Sequence, residues 1–257
     1  MRKLSYLLVP AFCALLMASC VKKEDVVPTT PTTPTTNTGP TPQVPTQNNV
    51  DGVLAAIKMN FKIEQAGFTI DVVSEVGVAS MYSSTGSSTI VDAGTVKLNS
   101  NALDKNSNNS YTKTATTGQT PSDLGLSSGA SWDVSGAGSV SAFTYNHGST
   151  FPKYTGTMPK SITKSSGLTL TFNSGNVKNA DSVYVFIASG SNSFIKGYAT
   201  NAGSITVTSS ELSNLATVSD NTAILEILPV KIDLITKNGK QYAFVKEEAN
   251  VRYININ

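Results

Sequence analysis

The sequence predicts an all-β protein, and three observations carry that expectation. Apolar residues alternate with polar ones at period two, clusters of Gly, Ser and Asn recur about every ten residues, and no window shows sustained helical periodicity or βα alternation. The architecture expected is two antiparallel β-sandwich domains, residues 51–146 and 147–257. They follow a signal peptide (1–19) and a Thr/Pro-rich linker (20–50).

Each segment follows from its residues. Ile57, Met59, Phe61 and Ile63 alternate with Lys58, Asn60 and Lys62, the pattern of a half-buried strand over Val53 to Ile63. Phe68, Ile70, Val72, Val76 and Val78 continue in extended form, and Thr95 to Asn99 alternates around Val96 and Leu98. A weakly patterned stretch from Thr114 to Gly138 holds the single tryptophan, Trp132, and a domain boundary is placed near Asn146. Beyond it, Leu168–Phe172, Ser182–Ala188, Phe194–Ala199 and Ser204–Thr208 are rich in β-branched and aromatic residues and are expected as strands. Ser209 or Ser210 is expected to cap a helical turn over Ser210 to Leu215. In the apolar run Ala223 to Ile235, Pro229 lacks a ladder donor and predicts a sheet edge or a bend between two strands. Asn238-Gly239 suits the two positive-φ positions of a type I′ turn, so Ile232–Thr236 should pair with Gln241–Lys246. Val251 to Ile256 reads as a final strand.

The N-terminus gives an address. Arg2 and Lys3 precede an apolar run from Leu7 to Met17. That run is too short to span a hydrocarbon core of about 30 Å as a helix, so it reads as a removable leader. Ala18 and Ser19 before Cys20 resemble the lipobox of bacterial lipoproteins, with Met17 where leucine is preferred. The resemblance implies that Cys20 is acylated and becomes the mature N-terminus, and more than one acyl chain gives stable anchoring. Lys23-Glu24-Asp25 resembles the export signal of surface-displayed lipoproteins. Together these imply an outer-membrane location with the protein facing outward. Six of the eleven prolines fall in residues 26–50, where a Thr-Pro-Thr-Thr pattern favours extended polyproline II. At about 3.1 Å per residue, such a stalk spans roughly 75 Å.

In its strand order, Gly167–Phe172, then Asp181–Ile187, then the late hairpin, the second half resembles an immunoglobulin-like or fibronectin type III-like module. It lacks the Cys-Trp-Cys spacing of antibody domains, so the resemblance implies architecture and no activity. Without Arg2 and Lys3 the chain has 17 basic and 17 acidic residues, scattered singly for the most part, which gives no basis for nucleic acid as a partner. Cys13 lies in the leader and Cys20 is assigned to lipid, so no thiol remains for a disulfide, metal or nucleophile. No cofactor is expected.

Ser161-x-x-Lys164, Ser110-x-x-Lys113 and Ser219-Asp220-Asn221 match pieces of penicillin-recognising enzymes, but the Ser and Lys must share a helix turn and these surroundings read as strand or loop. His147, the only histidine, stands in Asn-His-Gly and reads as a surface loop residue. Asp104, Asn106 and Asn108 carry oxygens at alternate positions as a weak calcium site would, with Asn109 where such a loop needs Gly. Glu247 and Glu248, adjacent on a strand, must point to opposite faces. Trp132, Tyr145 and Tyr154 are candidates for a sugar-stacking platform, with a core role as the alternative. The reading that follows is a lipid-anchored, non-enzymatic protein that binds or scaffolds a surface glycan or protein. The alternatives are a pilin or stalk subunit and a carbohydrate-active enzyme.

Overall fold

The computed structural model describes residues 50–257, apart from 66, 67, 120 and 122. The segments read as signal peptide and linker, with Cys20, fall in residues 1–49 and lie outside the described residues. Strands β1 (Gly52–Gln65) and β2 (Phe68–Tyr82) are followed by short strands β3 (Ile90–Val91), β4 (Val96–Leu98), β5 (Asn101–Ala102) and β6 (Asp104–Lys105). Next come β7 (Tyr111–Thr116), β8 (Ser131–Val134), β9 (Phe143–Asn146), β10 (Lys153–Tyr154) and β11 (Ser161–Ile162). The remainder comprises β12 (Leu168–Phe172), β13 (Val177–Lys178), β14 (Ser182–Ser189), β15 (Asn192–Tyr198), β16 (Gly203–Val207), a one-turn helix α1 (Ser209–Leu212), β17 (Val218–Lys237) and β18 (Lys240–Ile256). No helix among the described residues is long and apolar enough to cross a membrane.

A ten-stranded sheet forms the body of the protein, in the order β15-β14-β17-β18-β1-β2-β7-β6, with β11 beside β18 and β3 beside β2. Most pairings are antiparallel. The exceptions are β1 with β18, from Gly52↔Tyr242 to Lys62↔Arg252, and the short β11–β18 pair. Because side chains alternate between faces, the register sorts the large sheet into a core face and a reverse face.

Leu54, Ala56, Ala79, Met81, Tyr242 and Phe244 pack from the core face against Val96, Leu98, Trp132, Val134 and Phe143 of the four-stranded sheet β5-β4-β8-β9. Val183, Val185, Ile187, Leu225, Ile227 and Ile254 pack against Leu168, Leu170, Phe172, Ile205 and Val207 of the β12–β16 pair. The result is two sandwich cores laid side by side on one sheet. Side chains change core between Phe151 and Tyr154, while β17 and β18 supply both cores.

Several expectations meet their physical reasons here. The Asn238-Gly239 turn forms, with φ of 51° and 77°, and Lys237 pairs with Lys240. Glu247 and Glu248 do fall on opposite faces, since Glu247 shares a face with Ile57 and Glu248 with Lys58. Pro229, by contrast, sits inside a continuous strand flanked by β14 and β18. The partners on β18 pass from Ile227↔Asn250 to Val230↔Glu247 in one register, so the ladder skips the proline and the strand goes on. β1 is buried on both faces, with Leu54, Ala55, Ala56 and Ile57 each at most 5% exposed, because it lies mid-sheet. The helical turn begins at Ser209 and is capped by Thr208, not by either serine. Glu211 N–H donates to Thr208 Oγ1 (3.3 Å) while Thr208 N–H donates to Glu211 Oε2 (2.8 Å), a capping box in Thr-x-x-Glu.

Asp51 fixes the entry of β1. Its Oδ2 accepts from Gln241 N–H (2.9 Å) and its Oδ1 from Thr85 Oγ1 (2.9 Å), while its own N–H donates to Gln241 O (2.7 Å). Replacing Asp51 by Ala removes the acceptor of the Gln241 N–H and of the Thr85 hydroxyl and should cost about 1–2 kcal/mol in urea unfolding, with the m-value unchanged.

Candidate functional site

The residues singled out in the sequence scatter over the fold. Trp132 is buried in the first core and Tyr154 in the second, so they cannot share a platform. Tyr145 lies opposite Trp132 on the β8–β9 pair, where it packs on Phe244 with ring centroids 4.1 Å apart. The aromatics are core residues. At the β6–β7 turn, Asn108 Oδ1 accepts from Ser110 N–H (3.1 Å) and Ser110 Oγ (2.7 Å), and Asn106 Nδ2 donates to Ser110 Oγ (3.0 Å). Asp104 is exposed and pairs with Lys113 at 3.7 Å. The asparagines therefore build the turn, with Asn109 itself at φ 64°. Among the described residues no group of three or more His, Cys, Asp or Glu is placed to hold a metal.

His147 departs most from expectation, because its side chain is 1% exposed instead of lying on a surface loop. It directly follows β9, next to Asp233 of β17 and Lys246 of β18. Its Nε2 lies 3.3 Å from Asp233 Oδ2, and Tyr145 Oη donates to the same oxygen at 2.6 Å. On the neighbouring strand Lys246 is buried, and its ammonium donates to His147 O (2.7 Å) and Thr150 O (2.6 Å) beneath the Phe151 ring. Burial first, and then the Lys246 charge, lower the His147 pKa to about 4, although Asp233 pulls the other way. Burial likewise lowers Lys246. The imidazole is neutral at pH 7, and the ammonium gathers the carbonyls of the departing loop. The arrangement acts as a brace that holds residues 147–151 onto the large sheet.

A second polar site lies on the reverse face, where Glu226 and Glu247 are 6% and 4% exposed. The register puts both on the face that carries Ile57, Met59, Leu228, Val230, Ala249 and Val251, all buried and none belonging to either core. Glu226 stands opposite Val251 and Glu247 opposite Val230, four strand steps apart, or about 13 Å along the strand at 3.3 Å per residue. Burial raises Glu226 to about 7. Burial, assisted by Glu226, raises Glu247 to about 8. Glu247 Oε1 has no hydrogen-bond partner among the described residues. No motif marks Glu226 in the sequence; only its place in the apolar run Ala223–Ile235 could have drawn attention to it.

A cleft of about 280 Å³ at the far end of β1 and β18 is lined by Lys62, Ile63, Lys160, Asp220, Asn221, Arg252 and Tyr253. Ser161 is in β11, and Lys164 Nζ donates to Leu215 O (2.9 Å), so this Ser-x-x-Lys pair does not share a helix turn. Compared with protein-family models, with curated proteins and with solved structures, the chain matches none.

The buried groups set a pH dependence. Above pH 4.5 the unfolded chain ionises both glutamates while the native protein keeps Glu226 neutral up to about pH 7 and Glu247 up to about pH 8, so stability falls as pH rises through this range. His147 acts in the opposite direction, and only below pH 6.5, where the unfolded chain binds a proton the native site refuses until about pH 4. Chemical unfolding should therefore show stability dropping by a few kcal/mol from pH 6.5 to 8.5. Glu247→Gln should remove roughly two thirds of that drop.

Proposed function

We propose that this chain is a lipid-anchored cell-surface protein that binds or scaffolds a surface glycan or another protein without catalysing a reaction. The lipobox-like Ala18-Ser19-Cys20 and the Lys23-Glu24-Asp25 run support the address. The Thr/Pro-rich segment that follows supports a stalk. The sandwich packing of β12 and β16 on β14, β17 and β18 is compatible with the immunoglobulin-like or fibronectin type III-like resemblance read from the sequence.

One observation carries the reading: the strand that follows the stalk is paired on both sides along most of its length. β1 pairs with β18 over Gly52–Lys62 and with β2 over Gly52–Gln65. A pull on the stalk along β1 loads both ladders in shear, so their hydrogen bonds must yield together and not one at a time. That suits a protein whose tether and ligand pull in opposite directions. His147, Lys246 and Asp233 serve as internal braces in this reading, which leaves the outer loops for recognition.

Protease treatment of intact cells should remove residues 50–257 at the rate of known surface proteins, whereas protection until the outer membrane is breached would put the protein in the periplasm. Cys20→Ala should move the protein from the detergent phase to the aqueous phase. A glycan array probed with the full mature chain would then identify the ligand class, and silence across it would turn attention to protein partners.

A further inference from the structure

Parts of β2, β7 and β17 run past their outer neighbours, and the two strands that end the sheet's order differ from each other. At one end β6 is only two residues long, too short to template another strand. At the other end stands β15, seven residues, paired on one side only, with β14. Ser189 and Asn192 close a two-residue turn in which Gly190 has φ of 63°, and the register runs without a bulge to Val183↔Tyr198. In such a hairpin the closing pair is hydrogen-bonded, and alternate pairs follow it. The backbone N–H and C=O of Asn192, Phe194, Lys196 and Tyr198 thus face β14. Those of Ser193, Ile195 and Gly197 face outward, and no hydrogen bond takes them up among the described residues.

The guards that usually blunt an edge do not obstruct this one. No proline or bulge interrupts it. Its single charge, Lys196, is held by Glu211 at 2.8 Å. Ile195 at the middle is 51% exposed, and it lies on the reverse face together with the other two exposed large apolar residues, Ile70 and Leu234. Gly197 is covered on that face by the Tyr184 ring, which any Cβ there would meet at 2.8 Å.

We infer that β15 pairs antiparallel with β15 of a second copy of this chain, so that two large sheets join into one. The strand is self-complementary about Ile195. A two-fold axis there sets Ile195 against its own copy and Ser193 against Gly197, small residues that let the backbones approach. The outward N–H and C=O groups of each copy find partners, and the two isoleucines bury each other. An edge that met an unrelated peptide would need no such symmetry.

The test uses the full mature chain in detergent and does not depend on where the protein is displayed. Light scattering should give a dimer, and Ile195→Lys, which sets two ammonium groups face to face, should give a monomer with unchanged circular dichroism. Ile195→Cys treated with a short bis-maleimide should yield several-fold more covalent dimer than Leu234→Cys, a control of equal exposure on the same face but on β17 instead of β15. A monomeric parent protein, or equal cross-linking of the two cysteine variants, would overturn the inference.

Discussion

The parallel ladder between β1 and β18 joins the two ends of the described chain at the centre of one sheet, and the arrangement of both cores follows from it. β1 brings β2 and the four-stranded layer above them, and β18 brings β17, β14 and the β12–β16 layer. Neither core is complete without strands from the C-terminal hairpin, since Tyr242 and Phe244 serve the first and Leu225 and Ile254 the second. A ladder that links residue 52 to residue 242 closes a very long loop. Its entropic cost rises slowly with loop length, while folding rates fall steeply as contacts become non-local. The topology is thermodynamically affordable and kinetically slow.

Burial in the middle of so wide a sheet also explains the chemistry of its polar residues. Charged side chains on central strands cannot all reach water, so each meets a partner or loses its charge. Lys246 meets backbone carbonyls, and Glu75 Oε2 accepts from Leu124 N–H (2.6 Å) and Leu126 N–H (3.2 Å), tying down a loop. Lys58 lies 3.5 Å from Glu248. Glu226 and Glu247, on the reverse face, take the other course and stay protonated near neutrality. These groups shape the protein's stability, and burial in the middle of the sheet accounts for their shifted titration.

What could be read in the sequence was local. The alternation around Ile57, the Asn-Gly turn and the opposite orientation of Glu247 and Glu248 depend on neighbours a few residues away. The all-β class follows from them. What could not be read was which strands lie side by side. Lys58 and Asn60 look like a solvent face until Glu248, distant in sequence, is set next to them. Pro229 looks like an edge because sequence alone does not show that two neighbouring strands can hold it while one ladder skips a step. His147 sits in loop-forming company, and only Lys246, remote in sequence, draws that loop inward. The missed cap at Thr208 was local, and its partner Glu211, three residues on, was the available signal.

The position of the β17–β18 hairpin bears on the order of synthesis. The ribosome delivers this hairpin after all the other described strands, at about 5–20 residues per second, and until it emerges β1 has no parallel partner and both cores lack a wall. The nascent chain therefore stays in loose, partly paired form until Ile256 is out. A premature stop anywhere before Lys240 leaves a product unable to close either sandwich, which quality control would meet as an unfolded polypeptide and not as a shortened protein.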